Sequence, residues 1–297
     1  KLRRNITRVA VANRGEAAVR FMRAARTWMR RNDAHLDVVA MYTTPDADAS
    51  FVKMASAVVP LGDPFVTFPN GERKSVYVDV ERIVAAALDA GCDALWPGWG
   101  FAAESPELAD ACEREGITFI GPSGNSMRQL GDKIAAKALA EKAEVPVSPW
   151  SKVGVKTVEE AVEHAERIGY PALLKAAAGG GGRGIRRVDS ADDVRAQFKS
   201  CQAEAAAAFG DDAIFVERFV TIARHIEVQV LADRHGNVWA LGTRDCSMQR
   251  RNQKIIEEAP APNLDPEVEK EMCEASIRLA KEVGYVGAGT CEYLLLE

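Results

Sequence analysis

No apolar run in the 297-residue chain approaches the roughly 18 residues needed to span a bilayer, which excludes a helical membrane protein. The basic start Lys1-Leu2-Arg3-Arg4 leads into a strand pattern and not into a signal-peptide core, so a cytoplasmic location is expected. The six cysteines, at 92, 112, 201, 246, 273 and 291, form no CxxC and no paired Cys/His spacing of the zinc type, so reduced, mostly buried thiols are expected. Basic excess is also lacking. With 38 basic against 43 acidic side chains the net charge is -5, and nonspecific nucleic-acid binding, which needs a cationic field facing phosphates, is excluded. Two nucleotide signatures are missing as well. There is no GxxxxGK[ST] loop, and Asn13-Arg14-Gly15-Glu16 after the first strand is not GxGxxG, which disfavours a nicotinamide cofactor.

What is present is a globular composition, 47% hydrophobic and 27% charged, over a length that accommodates two or three compact units. Ile6 to Ala12 reads as a strand, after which Ala18, Phe21, Met22, Ala25 and Met29 recur at helical spacing. Further strands are expected over Leu36 to Tyr42, Asp93 to Trp96 and Ile117 to Ile120, with helices over Val80 to Ala90 and Glu107 to Glu115. Such alternation implies a mostly parallel sheet with helices on both faces, a Rossmann-like domain over residues 1–126. A helical connector from Met127 to Lys142 lies within a linker, residues 127–146, that ends at Val145-Pro146, because proline cannot continue a helix.

Residues 147–219 read as a smaller unit: helix Val158 to Ile168, strand Pro171 to Ala176, a glycine run, strand Ile185 to Val188, helix Ala191 to Ala208 and strand Ala213 to Val216. Residues 220–297 change character. Ile226 to Ala232 and Val238 to Arg244 alternate about the turn-rich Asp233 to Asn237, which gives an antiparallel connection. Lys254 to Glu258 is extended, and helix Pro266 to Val283 and strand Gly289 to Leu296 follow. The chain thus reads as α/β followed by α+β, and its last strand reads as a cut within a domain.

Lys175 ends an apolar strand and precedes Gly179 to Gly182, so an ammonium stands beside backbone N–H groups that no side chain obstructs, as phosphate oxygens require. The same run also reads as a flexible connector. Period-2 alternation places His225, Glu227 and Gln229 on one strand face and Ile226, Val228 and Val230 on the other; the polar face is either a ligand surface or an ordinary solvated one. Polar and basic groups crowd the stretch from Arg244 to Lys254. Arg250, Arg251 and Lys254 are expected to be answered by Asp245, Glu257 and Glu258, as a salt-bridged loop or as an anion site. Glu217 ends a strand leading towards this sheet. Glu292 interrupts an apolar strand and needs a cation, which a basic side chain or magnesium supplies.

Together, Val9 to Glu16, Pro97-Gly98-Trp99-Gly100-Phe101, Phe119 to Pro122, Gly131-Asp132-Lys133, the lysine-glycine flap, His225 to Val230 and Arg244 to Pro260 resemble the biotin carboxylase module of biotin-dependent carboxylases. The resemblance runs in order over essentially the whole chain. It implies an ATP-grasp domain after the Rossmann-like one, with residues 147–219 as the flap subdomain and 220–297 as the start of a truncated antiparallel-sheet subdomain. It also implies a reaction: ATP phosphorylates bicarbonate to carboxyphosphate, and biotin on a carrier domain or protein takes up the carbon dioxide. Magnesium or manganese is the implied metal. The implied partners are a biotin carboxyl carrier and a carboxyltransferase, on the same chain or a separate subunit, and a second copy in a homo-oligomer.

By the same resemblance, Lys133 and Lys175 contact nucleotide phosphates, and Gly181 and Gly182 close over them. Glu217, Arg218, Phe219 and Val220 read the adenine, and His225, Gln249 and Asn252 add nucleotide contacts. Lys254 holds bicarbonate, and Glu292 binds the metal. Asn252 departs from the family's usual histidine, and Trp99 from its more frequent tyrosine. The second metal-binding Glu and Asn, and the arginine and glutamate of the bicarbonate and biotin steps, have no counterpart here. Trp99 and the Arg250 to Lys254 block favour an acyl-CoA carboxylase. Another ATP-grasp ligase such as carbamoyl-phosphate synthetase, or a non-catalytic ATP-binding module, are the competing readings.

Overall fold

The computed structural model describes residues 6–177, 184–250 and 253–296. Two compact units emerge, residues 1–127 and 128–297.

In the first unit the elements run β1 (Arg8–Val11), α1 (Gly15–Asn32), β2 (Asp37–Thr43), α2 (Ser50–Met54), β3 (Ala57–Gly62), β4 (Phe65–Thr67), β5 (Arg73–Ser75), α3 (Val80–Asp89), β6 (Ala94–Trp96), α4 (Pro106–Arg114) and β7 (Thr118–Phe119). Five strands form a parallel sheet of order β3-β2-β1-β6-β7. A parallel strand covered on both faces needs apolar residues in succession, and β2 supplies Val38, Val39, Ala40 and Met41, all 4% exposed or less. Alternation then sends Ala10, Val39, Met41 and Leu95 into the core under α3 and α4. It sends Val9, Val11, Val38, Ala40 and Ala94 into the core under α1 and α2. The Rossmann-like architecture is therefore present. Sequence patterning missed β3 and the β4-β5 hairpin. Pro60 and half-exposed alternation weaken β3, which lies at the sheet edge.

After β2, the buried Asp46 accepts hydrogen bonds from Arg14 Nε and Nη2 at 2.7 and 2.6 Å and from Thr43 Oγ at 3.0 Å. The Arg14 hydrogen bonds outweigh burial and, with Thr43, hold the Asp46 carboxyl below its ordinary value. A carboxyl depressed in the fold stabilises fully above its unfolded pKa of about 3.9, and loses that contribution as pH falls through the folded value. Urea midpoints of the wild type should accordingly drop more steeply between about pH 5 and pH 2 than those of Asp46→Asn. Parallel curves would show that the pair contributes nothing.

α5 (Gly124–Gly131) crosses the division between the units, and the second unit continues with α6 (Lys133–Lys142), α7 (Val158–Ile168), β8 (Ala172–Ala176), β9 (Ile185–Val188), α8 (Ala191–Phe209), β10 (Ile214–Arg218), β11 (Arg224–Ala232), β12 (Val238–Arg250), β13 (Gln253–Glu258), α9 (Pro266–Glu282) and β14 (Gly287–Leu295). The expected single connector helix is two helices. Asp132 interrupts it, because its extended backbone and its carboxylate, accepting from Ile134 N and Ala135 N at 2.8 and 2.9 Å, start a new helix there.

β10-β8-β9 form an antiparallel sheet whose buried residues Leu174, Val188 and Ile214 pack with Val162 and Phe198 of α7 and α8. Thr157 and Glu160 close a capping box at the start of α7. The order β13-β12-β11-β14 forms a second antiparallel sheet. Ile226, Val228 and Val230 are buried with Met272 and Val268 of α9, so the alternation read from the sequence sets the inner face. β12 runs six residues past the expected end at Arg244, and the polar block is therefore strand and not loop. All six cysteines are free. No described helix is long and apolar enough to cross a membrane.

Candidate active site

Two clusters of charge lie in the second unit. The first is built on neighbouring strands. Phe215 pairs with Lys175 and Glu217 with Leu173, so Lys175 and Glu217 stand diagonally on one face of the small sheet. Lys175 Nζ donates to Glu217 Oε2 at 2.6 Å. Lys137 Nζ reaches Glu217 Oε1 at 2.8 Å, and Ser148 Oγ donates to the same oxygen. Burial pushes the Glu217 carboxyl up, but Lys175 and Lys137 outweigh it and hold it below its ordinary value. Lys133, the first residue of α6, donates from Nζ to the Ala176 carbonyl at 3.1 Å. Burial, reinforced by the nearby Lys175 charge, pulls its pKa down. Three ammonium groups around one carboxylate leave surplus positive charge, which an anion with several oxygens would satisfy.

Arg218 and Phe219 direct their backbone N–H groups to the carbonyls of Pro149 and Pro171 at 2.9 and 3.0 Å. Arg187 lies over the Phe219 ring, 4.9 Å from its centroid. Val220 follows, half-buried, outside the strands. Gly181, Gly182 and Asn252 lie outside the described residues.

The second cluster occupies the polar face of the larger sheet. Glu227 on β11 is directly opposite Arg244 on β12 and Glu292 on β14. Lys254, from β13, places Nζ 2.6 Å from both Glu227 Oε2 and Glu292 Oε1. Arg244 binds the other Glu227 oxygen, donates to Gln229 Oε1 at 3.0 Å and lies 3.6 Å from Glu257. The Glu227 side chain is 3% exposed. Burial alone would raise its pKa, yet hydrogen bonds from Lys254 and Arg244 lower it. Burial opposes the charge on Lys254, but Glu227 and Glu292 overcome this and raise its pKa, so the ammonium is held charged. Gln249 Nε2 lies 2.7 Å from His225 Nδ1 and donates to the Cys246 carbonyl at 2.9 Å. His225 Nε2 is buried without a hydrogen-bond partner among the described residues and sits 3.6 Å from Glu292 Oε1.

Among the described residues, the donor set offers a hard divalent cation one available carboxylate and not a full set of oxygen ligands. The nearest ligand atoms of His225, Glu227 and Glu292 lie within 4.8 Å of one another. Both Glu227 oxygens are engaged by cations, so the half-exposed Glu292 is the carboxylate able to offer an oxygen to magnesium.

The structure thus brings Lys133, Lys175 and Glu217 together in one cluster and His225, Gln249, Lys254 and Glu292 in the other. The expected pairing of the basic block was wrong in part. Asp245 pairs with Arg224 at 2.8 Å, and Lys254 pairs with Glu227 and Glu292, not with Glu257 or Glu258. Lys137, Ser148 and Arg244 went unassigned to any site, and so did Glu227 beyond its strand face. The polar face of β11 was a signal for Glu227, whereas Lys137 sat in a stretch read only as connector.

A small antiparallel sheet and a larger one, each presenting a lysine paired with a buried carboxylate, make up the second unit, and the family match places it among ATP-grasp domains. Residues 132–297 match the carbamoyl-phosphate synthase L chain ATP-binding domain, and residues 5–127 match the biotin carboxylase N-terminal domain. A chloroplastic biotin carboxylase 2 of Populus trichocarpa is 44% identical over 98% of this chain and 53% of its own length. The crystal structure of a biotin carboxylase–β,γ-ATP complex from Campylobacter jejuni superposes with a TM-score of 0.87 at 41% identity, over 98% of this chain and 62% of that one. The biotin carboxylase domain of Hydrogenobacter thermophilus 2-oxoglutarate carboxylase, crystallised with MgADP, ADP and bicarbonate, gives 0.84 at 42% identity, over 97% and 61%. The chain belongs to the biotin carboxylase family, and it spans about half to three-fifths of these relatives.

Proposed function

We propose that this chain forms the ATP-binding part of a biotin carboxylase, which uses ATP and bicarbonate to carboxylate biotin on a carrier domain or protein. The observation that carries the reading is Lys254, held at 2.6 Å between Glu227 and Glu292 on the polar face of the larger sheet. Phosphoryl transfer asks the protein mainly to position groups and offset charge. In this role Lys133 and Lys175 take the nucleotide phosphates, with Gly181 and Gly182 covering them. Glu217 to Val220 line the adenine, and His225, Gln249 and Asn252 add contacts. Lys254 fixes bicarbonate beside the terminal phosphate, with Arg244 and Glu227 setting where its ammonium stands. Magnesium, when bound through Glu292, offsets phosphate charge. Keeping water from the carboxyphosphate protects a labile mixed anhydride.

The domain division follows the same reading: residues 1–126 as the N-terminal domain, 127–146 as linker, 147–219 as flap subdomain and 220–297 as the start of the larger one. An acyl-CoA is the acceptor class favoured by Trp99 and the Arg250 to Lys254 block. A biotin carrier, a carboxyltransferase and a second copy are the partners, in the cytoplasm.

The test is ATP cleavage by the full-length protein with and without bicarbonate and free biotin. Cleavage requiring both is expected. Cleavage that needs bicarbonate and ammonia, and is indifferent to biotin, would establish the carbamoyl-phosphate chemistry instead. MgATP binding without turnover would leave only a nucleotide-binding module.

A further inference from the structure

Lys137 is a third ammonium at the phosphate-side cluster, and neither the sequence resemblance nor the reaction above gives it a task. It follows Lys133 by one helical turn on α6, and Glu141 follows by another, so the three share a face. Lys137 is only 18% exposed. Its Nζ lies 2.8 Å from Glu217 Oε1, 3.1 Å from Ser148 Oγ and 5.8 Å from the Trp150 ring centroid. Trp150 is itself fixed, its indole N–H donating to Glu141 Oε1 at 3.1 Å. Glu217 therefore divides its two oxygens: Oε2 faces Lys175, and Oε1 faces Lys137 and Ser148.

We propose that Lys137, supported by Ser148, is a positioning residue that holds the Glu217 charge so that the Lys175 ammonium is free to engage nucleotide phosphate. The proposal rests on the ATP-binding reading above. A buried carboxylate with a single cation keeps that cation tightly, because releasing it strands an unpaired charge. With a second cation already on Oε1, Glu217 stays neutralised when Lys175 turns to a phosphate oxygen. Without Lys137, each phosphate contact by Lys175 comes at the expense of Glu217.

The discriminating experiment measures MgATP and adenosine affinity of the full-length protein by calorimetry and competition. Lys137→Met should weaken MgATP about tenfold, the worth of one charge-assisted contact, and leave adenosine within about twofold. Lys137→Arg should restore MgATP binding. In a Glu217→Gln background, where no charge needs holding, Lys137→Met should change MgATP affinity by less than about twofold. Ser148→Ala, a milder change, should act in the same direction by about threefold and serves if the methionine variant does not fold. Equal weakening of adenosine and MgATP would mark Lys137 as structural and overturn the proposal, as would unchanged MgATP affinity in both single variants. A wild-type protein that binds no MgATP would overturn the ATP-binding reading itself.

Discussion

Replacing Lys254 by alanine is expected to lower bicarbonate-dependent ATP cleavage by about 10²–10³-fold, the loss typical of one preorganised charge at a reacting oxyanion. MgATP affinity should stay within about threefold, since the phosphate-side lysines belong to α6 and β8 and not to this sheet. The fold should tolerate the change. Glu227 keeps Arg244 on one oxygen, and Glu292, with a side chain 53% exposed, turns to water. Steady-state kinetics with bicarbonate and ATP varied separately provide the readout. Full activity in the alanine variant would remove Lys254 from the chemistry.

Glu227→Gln should act mainly on stability. This carboxylate is almost fully buried and sits between Arg244 and Lys254; removing its charge leaves Arg244 with only Glu257, 3.6 Å away, and Lys254 with only the half-exposed Glu292. Breaking a buried pair in this way costs about 3–5 kcal/mol. For a unit of this size, that corresponds to a fall in melting temperature of roughly 6–20 °C. The pH dependence carries a second signature. Because the folded pKa of Glu227 is depressed, its contribution is complete above the unfolded value of about 4.3 and fades as pH falls through the folded one. The gap between wild type and variant should therefore narrow on acidification. Calorimetric scans at pH 7 and in steps from about pH 4 to pH 2 measure both effects. A variant that melts with the wild type at pH 7 would show that the triad is energetically neutral.

The legible parts of the fold were those in which a side chain announces its own surroundings. β2 reads as a buried strand because four consecutive apolar residues have no other stable place, and β11 reads as a half-polar strand because it alternates. The last six residues of β12 were not legible. Asp245 to Arg250 carry no strand-like apolar pattern, and their extension is enforced by backbone pairing with β11 and β13. Charge partners failed for a related reason. Lys254 could be matched by sequence only to nearby Glu257 and Glu258, whereas its partners are 27 and 38 residues away. Strand order β13-β12-β11-β14 places them within reach, and that order is a property of the assembled sheet. Lys137 was hidden more deeply. Helical spacing shows that it shares a face with Lys133, but not that the face meets the end of β10, where Glu217 stands.

The unequal exposure of the two carboxylates on Lys254 bears on how tightly an incoming anion can be retained. On the proposed reading, bicarbonate would have to win the ammonium from a carboxylate already in contact, so its binding would be an exchange of one oxyanion for another and not the filling of an unmet charge. Glu227, with a side chain 3% exposed, is too costly to dislodge; Glu292, 53% exposed, rehydrates cheaply and is the one that yields. A swap between near-equals releases little net free energy. An anion bound in this way would be captured loosely, suited to being consumed rather than stored.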